Sequence, residues 1–332
     1  MIQGVLTSAG ERLGIECAIP WVGELIRDAS DRRFTGGDPD TARIRIRVER
    51  HRDAFHTGGW EPLARGVAGR DGSMVLRNLL SSGFDLRVDP SADGGTVAFT
   101  FRWRPPRRER AMALAMRSRF HLLARAVVLR YPALWWAGTR GKAPLHAAVC
   151  TAGEQRTVLL AGSGGPGKST LVNLELAGGG SAISDNLCVS DGVTAWGVVE
   201  PPRVEGGGGR RMPHGHAERS MPSRLLSMVP DRIVVLRQGR DETRSVGTCR
   251  PAAAERSLVA GTYMARELRR YWGFAATLAL GTGIGPPHPP VAQVASRLAA
   301  GLPAVMVTLP NLPGPRLAEL LDTTGEEAGT WT

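Results

Sequence analysis

Lysine is almost missing from this chain: of its 42 basic residues, all but Lys142 and Lys168 are arginine. A sequence that writes its positive charge as arginine keeps lysine where a wide guanidinium fork does not serve. Cysteine is scarce too. Cys17, Cys150, Cys188 and Cys249 stand far apart, with no C-x-x-C pair and no histidine at zinc-ligand spacing. That argues against a disulfide framework or a structural metal and predicts four reduced, buried thiols. No apolar run approaches the ~18–20 residues of a membrane span. The opening residues Met1, Ile2, Gln3, Gly4, Val5 and Leu6 lack the charged region and apolar core of a signal peptide. The expectation is therefore a cytoplasmic protein with no membrane partner. Internal repeats are absent as well.

What remains is ordinary globular material. The 332 residues are 42% hydrophobic and 22% charged, enough for two domains with a sizeable core. The net charge of +11 invites a nucleic-acid reading. The basic residues are spread over every predicted element, however, which argues against nucleic acid as a partner. One stretch is denser: residues 102–140 hold ten arginines and a single acid, Glu109.

Residues 1–140 read as a β-rich N-terminal domain. Residues 43–48 alternate with period two, and 84–88 and 96–101 flank the turn Ala92-Asp93-Gly94-Gly95 as a hairpin would. After Pro105 and Pro106 a basic helix is predicted over about 107–130, with Met112, Met116, Phe120, Leu123 and Val127 on its apolar face. Arg117, His121 and Arg125 form a second stripe, read either as a solvated face or as a docking surface for an acidic acceptor. Beyond residue 141 the texture becomes α/β. A strand is expected at 232–236, a long helix at about 252–280 and a strand at 304–309. Residues 206–216 and 281–290 are glycine- and proline-rich connections, the first read as a lid or a plain linker. Residues 321–332 read as a flexible tail.

At the start of the second part stands Gly162-Ser163-Gly164-Gly165-Pro166-Gly167-Lys168-Ser169-Thr170. It fits G-x-x-x-x-G-K-[ST], a P-loop, between a buried strand at 157–161 and a helix from Ser169. In such a loop backbone N–H groups turn inward on phosphates and the lysine ammonium reaches them as a compact charge. Two flanking segments add to it: Leu145-His146-Ala147-Ala148-Val149-Cys150 upstream and Ser181-Ala182-Ile183-Ser184-Asp185-Asn186-Leu187 downstream. The strand at 232–236 is followed by Arg237, Gln238 and Gly239 rather than an acid. Asp185 is thus the one well-placed carboxylate, and capping a turn is its plainer role.

This ordering resembles the catalytic domain of HPr kinase/phosphorylase and its relatives, over roughly residues 143–205. The resemblance implies an α/β fold with a phosphoenolpyruvate-carboxykinase-like P-loop core across 141–320. It implies a kinase using ATP and Mg²⁺ on a hydroxyl acceptor, either a serine of a peptide or small protein or a small-molecule alcohol. Gly162 to Thr170 would hold the nucleotide, Lys168 would neutralise the transferring group and Ser169 would ligate Mg²⁺. Asp185 would take the acceptor proton, and His146 would stand near the phosphates or serve as a packed structural residue. The family's second acid is Asn186 here, which can ligate metal through its amide oxygen but lacks the charge. Glu205, with Glu200 as runner-up, would complete the metal site. Apart from that resemblance, the aromatic and arginine-rich stretch from Thr262 to Phe274 reads mainly as core and surface, the alternative being that Arg266 or Arg270 reaches the phosphates or that Tyr271 and Trp272 line the acceptor pocket. A homo-oligomer is left open. Two other readings compete: a nucleotide-gated binding module without transfer, favoured by Asn186, and a nucleic-acid-stimulated NTPase drawing on 102–140.

Overall fold

The computed structural model describes the chain except for residues 32, 154–155, 163–166, 202, 205–209, 212–216, 219, 222, 240–243, 310–314 and 328–332; of 203–204, 210–211, 217 and 323–327 it describes the backbone alone. All elements below are counted among the described residues. The architecture is mixed α/β with several sheets.

The chain opens on a hairpin that sequence reasoning did not anticipate, β1 (Ile2–Ser8) and β2 (Glu11–Cys17). Ala9 and Gly10 turn it at φ 57° and 73°, the two left-handed residues that match a tight turn to the strands' twist. Helix α1 (Pro20–Ala29) begins with proline and buries Val22, Leu25, Ile26 and Ala29 at helical spacing. Strand β3 (Ile44–Glu49) buries Ile44, Ile46 and Val48 and exposes Arg45 and Arg47, as its alternation requires. Strands β4 (Glu61–Ala64), β5 (Val67–Arg70), β6 (Ser73–Leu76), β7 (Phe84–Pro90) and β8 (Val97–Trp103) follow. They complete a sheet ordered β1-β2-β3-β8-β7-β6-β5-β4. The expected hairpin is β7–β8, antiparallel from Phe84 opposite Trp103 to Pro90 opposite Val97.

The single basic helix expected over 107–130 is broken. Helices α2 (Arg107–Ala115) and α3 (Arg117–Arg125) meet at Met116, whose φ −121° and ψ 51° are not helical. A π turn, Ala126–Arg130, then leads into α4 (Tyr131–Thr139). Pro132 gives the reason: it has no N–H for the carbonyl one turn back, and its ring pushes that carbonyl away. The stripe read as a solvated face or a docking surface splits likewise. Arg117 is exposed. His121 stacks on Trp21 with rings 12° apart, and Arg125 is buried in a two-pronged pair with Glu218 at 3.0 and 2.8 Å.

The second half contains β9 (Ala143–Leu145), β10 (Ala148–Ala152), β11 (Arg156–Ala161), α5 (Lys168–Ala177), β12 (Ala182–Ser184), β13 (Cys188–Ser190) and β14 (Ala195–Gly197). Three two-residue strands, β15 (Arg203–Val204), β16 (Arg210–Arg211) and β17 (Ala217–Glu218), form a small sheet. Of the expected lid at 206–216, only β16 falls within the described residues. Then come β18 (Ser227–Met228), β19 (Arg232–Gln238) and β20 (Ser245–Thr248). The one helix expected over 252–280 is two, α6 (Pro251–Met264) and α7 (Arg269–Thr282), because Ala265 is extended at φ −62°, ψ 122°. Helix α8 (Val291–Gly301), strand β21 (Ala304–Leu309) and helix α9 (Leu317–Glu327) end the fold. Where a flexible tail from residue 321 is expected, α9 continues, and Leu320 and Leu321 are buried.

The central sheet runs β12-β10-β11-β19-β21-β20. Strands β11, β19 and β21 are parallel neighbours, so the sheet edge that follows β11 carries the glycine loop. Residues of α6 and α8 cover one face, with Leu258, Val294 and Leu298 over Leu159 and Ile233. Residues of α5 and α9 cover the other, with Leu171 and Leu320 over Val158 and Leu160. The largest core crosses residue 140: the N-terminal sheet and α4 share it with Leu187, Val189, Leu268, Tyr271 and Phe274. All four cysteines are free and buried. Among the described residues, no helix is long and apolar enough to cross a membrane.

Candidate functional site

Strand β11 ends at Ala161, and the backbone then needs conformations that glycine alone adopts cheaply. Gly162 stands at φ 148° and Gly167 at φ 88°, the latter capping α5. Ser163, Gly164, Gly165 and Pro166 lie outside the described residues. Lys168 is the first residue of α5, and its ammonium turns back to donate to the Gly162 carbonyl at 2.8 Å. The side chain is buried. Burial lowers its pKa from 10.5 to about 8, against the pull of the Glu267 and Asp185 carboxylates, which favour the charged form. Ser169 follows, half-buried, and Thr170 is exposed.

A local device places the second cluster. Strand β12 ends at Ser184, whose Oγ accepts the N–H groups of Asn186 at 3.1 Å and Leu187 at 2.9 Å. That serine turn replaces strand pairing and stops β12. Asp185 and Asn186 are buried there at 2% and 7% exposure. The Asp185 carbonyl accepts the Ser169 hydroxyl at 3.4 Å, which ties the end of β12 to the first turn of α5. His146, between β9 and β10, places Nε2 3.0 Å from Asn186 Oδ1, and Thr262 of α6 accepts its backbone N–H at 3.0 Å.

The structure thus gathers Gly162, Gly167, Lys168, Ser169, Asp185, Asn186 and His146 in one place. It also adds a residue that sequence reasoning missed. Glu267, in the break between α6 and α7, accepts from Asn186 Nδ2 at 3.4 Å and acts on the charge of Lys168. A lone carboxylate between Arg266 and Arg269 was the available signal; the break that presents it was not visible. Arg224 is a second missed residue. It pairs with Asp31 at 3.8 Å, and Asp31, Asp185 and Glu200 oppose the lowering of its pKa by burial.

Other expectations fare differently. Glu205 lies outside the described residues. Glu200 is buried and taken by an ion pair with Arg130, while Arg224 donates to its backbone carbonyl. The segment 198–201 has no regular structure, and Val199 donates its N–H to Ser8 Oγ at 3.0 Å. Tyr271 belongs to the core, with Trp272 half-buried against Tyr263 at 5.0 Å between rings. Arg266 and Arg270 are exposed, and Arg270 donates to the Leu80 carbonyl at 3.3 Å.

A magnesium ion suits the donor set: a serine hydroxyl, a carboxamide oxygen and two carboxylates are hard oxygen ligands. No three His, Cys, Asp or Glu side chains among the described residues form a metal cage.

No protein-family model matches the chain, and no curated protein matches it. Among solved structures it is similar to the Hpr(Ser) kinase/phosphatase from Coxiella burnetii, with 11% identity and a TM-score of 0.28, over 56% of this chain and 89% of that one. A likeness this distant carries no functional argument.

Proposed function

We propose that the chain is an ATP- and Mg²⁺-dependent kinase that transfers a phosphoryl group to a hydroxyl. The observation that supports it best is the meeting of Lys168 at the start of α5 with Asp185 at the end of β12, joined through Ser169. Phosphoryl transfer asks a protein for position and charge rather than covalent work. The glycine backbone at 162 and 167 and the N-terminus of α5 suit phosphates. Lys168, still mostly protonated at neutral pH with a pKa of about 8, offsets negative charge on the transferring group. Mg²⁺, held by Ser169, Asn186 and Glu267 together with the nucleotide, would supply the remaining charge neutralisation. The acceptor oxygen bonds to the γ-phosphorus, the bond to the bridging oxygen breaks, and ADP leaves. Asp185 takes the hydroxyl proton.

His146 orients rather than reacts in this reading. Its Nε2–H donates to Asn186 Oδ1, whose second lone pair stays open to a metal. The same hydrogen bond supports the rival, a nucleotide-gated binder, since it engages the side chain that stands where a second acid would.

Asp185→Asn separates the readings. It keeps size and cannot accept a proton, so ATP binding should persist while transfer falls by ~10²–10⁴-fold. Calorimetry with ATP and Mg²⁺ and transfer of label from γ-labelled ATP to serine-containing peptides give both numbers. Wild-type protein that binds ATP and labels none of the offered acceptors would favour the binder, and a variant with unimpaired transfer would remove Asp185 from the mechanism.

A further inference from the structure

Two adjoining cavities, of about 470 and 610 Å³, lie between α2–α3 and the start of α7 and share Arg119, Leu123 and Arg270. Together they make one groove. At its inner end is Glu267, the residue that also contacts Asn186 and acts on Lys168. At its outer end are Arg108, Met112 and Met116 of the broken basic helix. The groove therefore shares one residue, Glu267, with the candidate site, and its other lining comes mainly from α2, α3, the π turn and the start of α7.

Its walls and floor differ in chemistry. The floor is apolar and mostly aliphatic: Leu122, Leu123, Ala126, Met112 and Met116, with Phe120 beside them. Met112 is 45% exposed within it. The walls are cationic. Arg108, Arg119, Arg266, Arg269 and Arg270 are all exposed. Against them stand Glu267 at the inner end and Glu109, which accepts from Asn78 Nδ2 at 3.3 Å. Arg130 also lines the groove but is already held by Glu200. The kink at Met116 sets the shape, because a straight helix from 107 to 130 would not bend its apolar side around the start of α7.

We propose that this groove docks the acceptor, and that the acceptor is an acidic peptide segment with interspersed aliphatic residues, its hydroxyl lying at the Glu267 end. The proposal rests on the kinase reading for what happens at that end, not for the docking itself. Excess arginine selects carboxylates, which guanidinium groups hold in two-pronged fashion. An aliphatic and methionine floor adds affinity for Leu- or Met-like side chains and nothing for a sugar–phosphate backbone. The floor lacks the exposed ring platform on which single-stranded bases stack, so a peptide fits where a nucleic acid does not.

The test uses the full chain and fluorescein-labelled dodecapeptides made of Asp, Glu, Leu and one Ser, in three spacings, followed by anisotropy. Three probes compare: the same peptides with Asn and Gln for the acids, poly-glutamate of equal charge, and a single-stranded DNA oligonucleotide of equal charge. The acidic–aliphatic peptides should bind at least tenfold tighter than each. Arg119→Glu and Met112→Lys, both at exposed positions, should each weaken them at least tenfold while ATP affinity stays within twofold. Lys168→Ala should lose ATP and keep the peptide. Equal binding of any comparison probe, or variants that bind peptide like wild type, would overturn the groove. Peptide binding that follows the groove, without phosphate transfer to the serine, would overturn the kinase reading and leave the docking site standing.

Discussion

At the scale of single residues, the two lysines show what their scarcity meant. Lys142 pairs with buried Glu11 at 3.0 Å and lies 4.2 Å from the Trp196 ring, so it serves packing. Lys168 is buried beside two carboxylates with a pKa lowered to about 8. The sign of the consequence follows. In the folded protein the ammonium loses its proton near pH 8, and in the unfolded chain only near 10.5, so unfolded chains bind more protons in between. Stability without ligand should rise by about 3 kcal/mol as pH climbs through that window, while ATP affinity falls as the charge that meets the phosphates is lost. Thermal melts and ATP titrations from pH 7 to 10 check both, with Lys168→Met expected to flatten each curve. Glu267 yields a second expectation. If it helps to hold Mg²⁺, Glu267→Gln should raise the Mg²⁺ concentration needed for half-maximal ATP binding by ~10–100-fold. A variant that titrates like wild type would leave Glu267 a partner of Asn186 only.

At the scale of elements, legibility tracked how local the cause was. Glycines at 162 and 167 are required by their own backbone angles, and the serine that stops β12 acts on the next three residues, so the strand, the helix and the place of Asp185 at the end of β12 could be read from the sequence. The break before Glu267 could not. Met264, Ala265, Arg266, Glu267 and Leu268 are good helix formers. It is the burial of Ala265 and Leu268 in the N-terminal core, with Tyr131 donating to the Glu267 carbonyl at 3.4 Å, that overrides them. Arg125 was misread for a similar reason, since its partner Glu218 is 93 residues away. Helix α6 also presses on the loop: a Cβ at Gly261 would come 3.2 Å from the Gly162 carbonyl oxygen. Gly261→Ala should therefore split two readouts. The helix gains up to about 1 kcal/mol from the lost glycine, while the displaced loop binds ATP about tenfold more weakly. Melting and calorimetry on one sample decide it, and unchanged affinity would show that the loop gives way freely.

At the scale of the whole molecule, a buried ion pair joins the helical segment before residue 140 to the chain after it. Arg130 and Glu200 are both nearly inaccessible, at 7% and 5% exposure. Removing one partner strands the other charge, so Arg130→Met should cost ~3–5 kcal/mol, and Arg130→Met with Glu200→Met should recover most of it. Denaturant unfolding of wild type, Arg130→Met, Glu200→Met and the double variant closes the cycle, and a double variant no better than either single one would mean that the pair organises the core rather than merely cancelling charge.

The shared core carries one more consequence. Leu268 and Tyr271, which fix the position of Glu267, pack into the same apolar interior as Phe84, Phe99 and Phe101 of the N-terminal sheet. The proposed docking groove and the candidate site are then not separable parts. If the kinase reading holds, a new specificity could not be installed by exchanging the first 140 residues as a cassette, because the incoming sheet would have to rebuild the seat on which the candidate site rests. Retargeting would instead proceed by point changes along the exposed arginines, which touch neither interior.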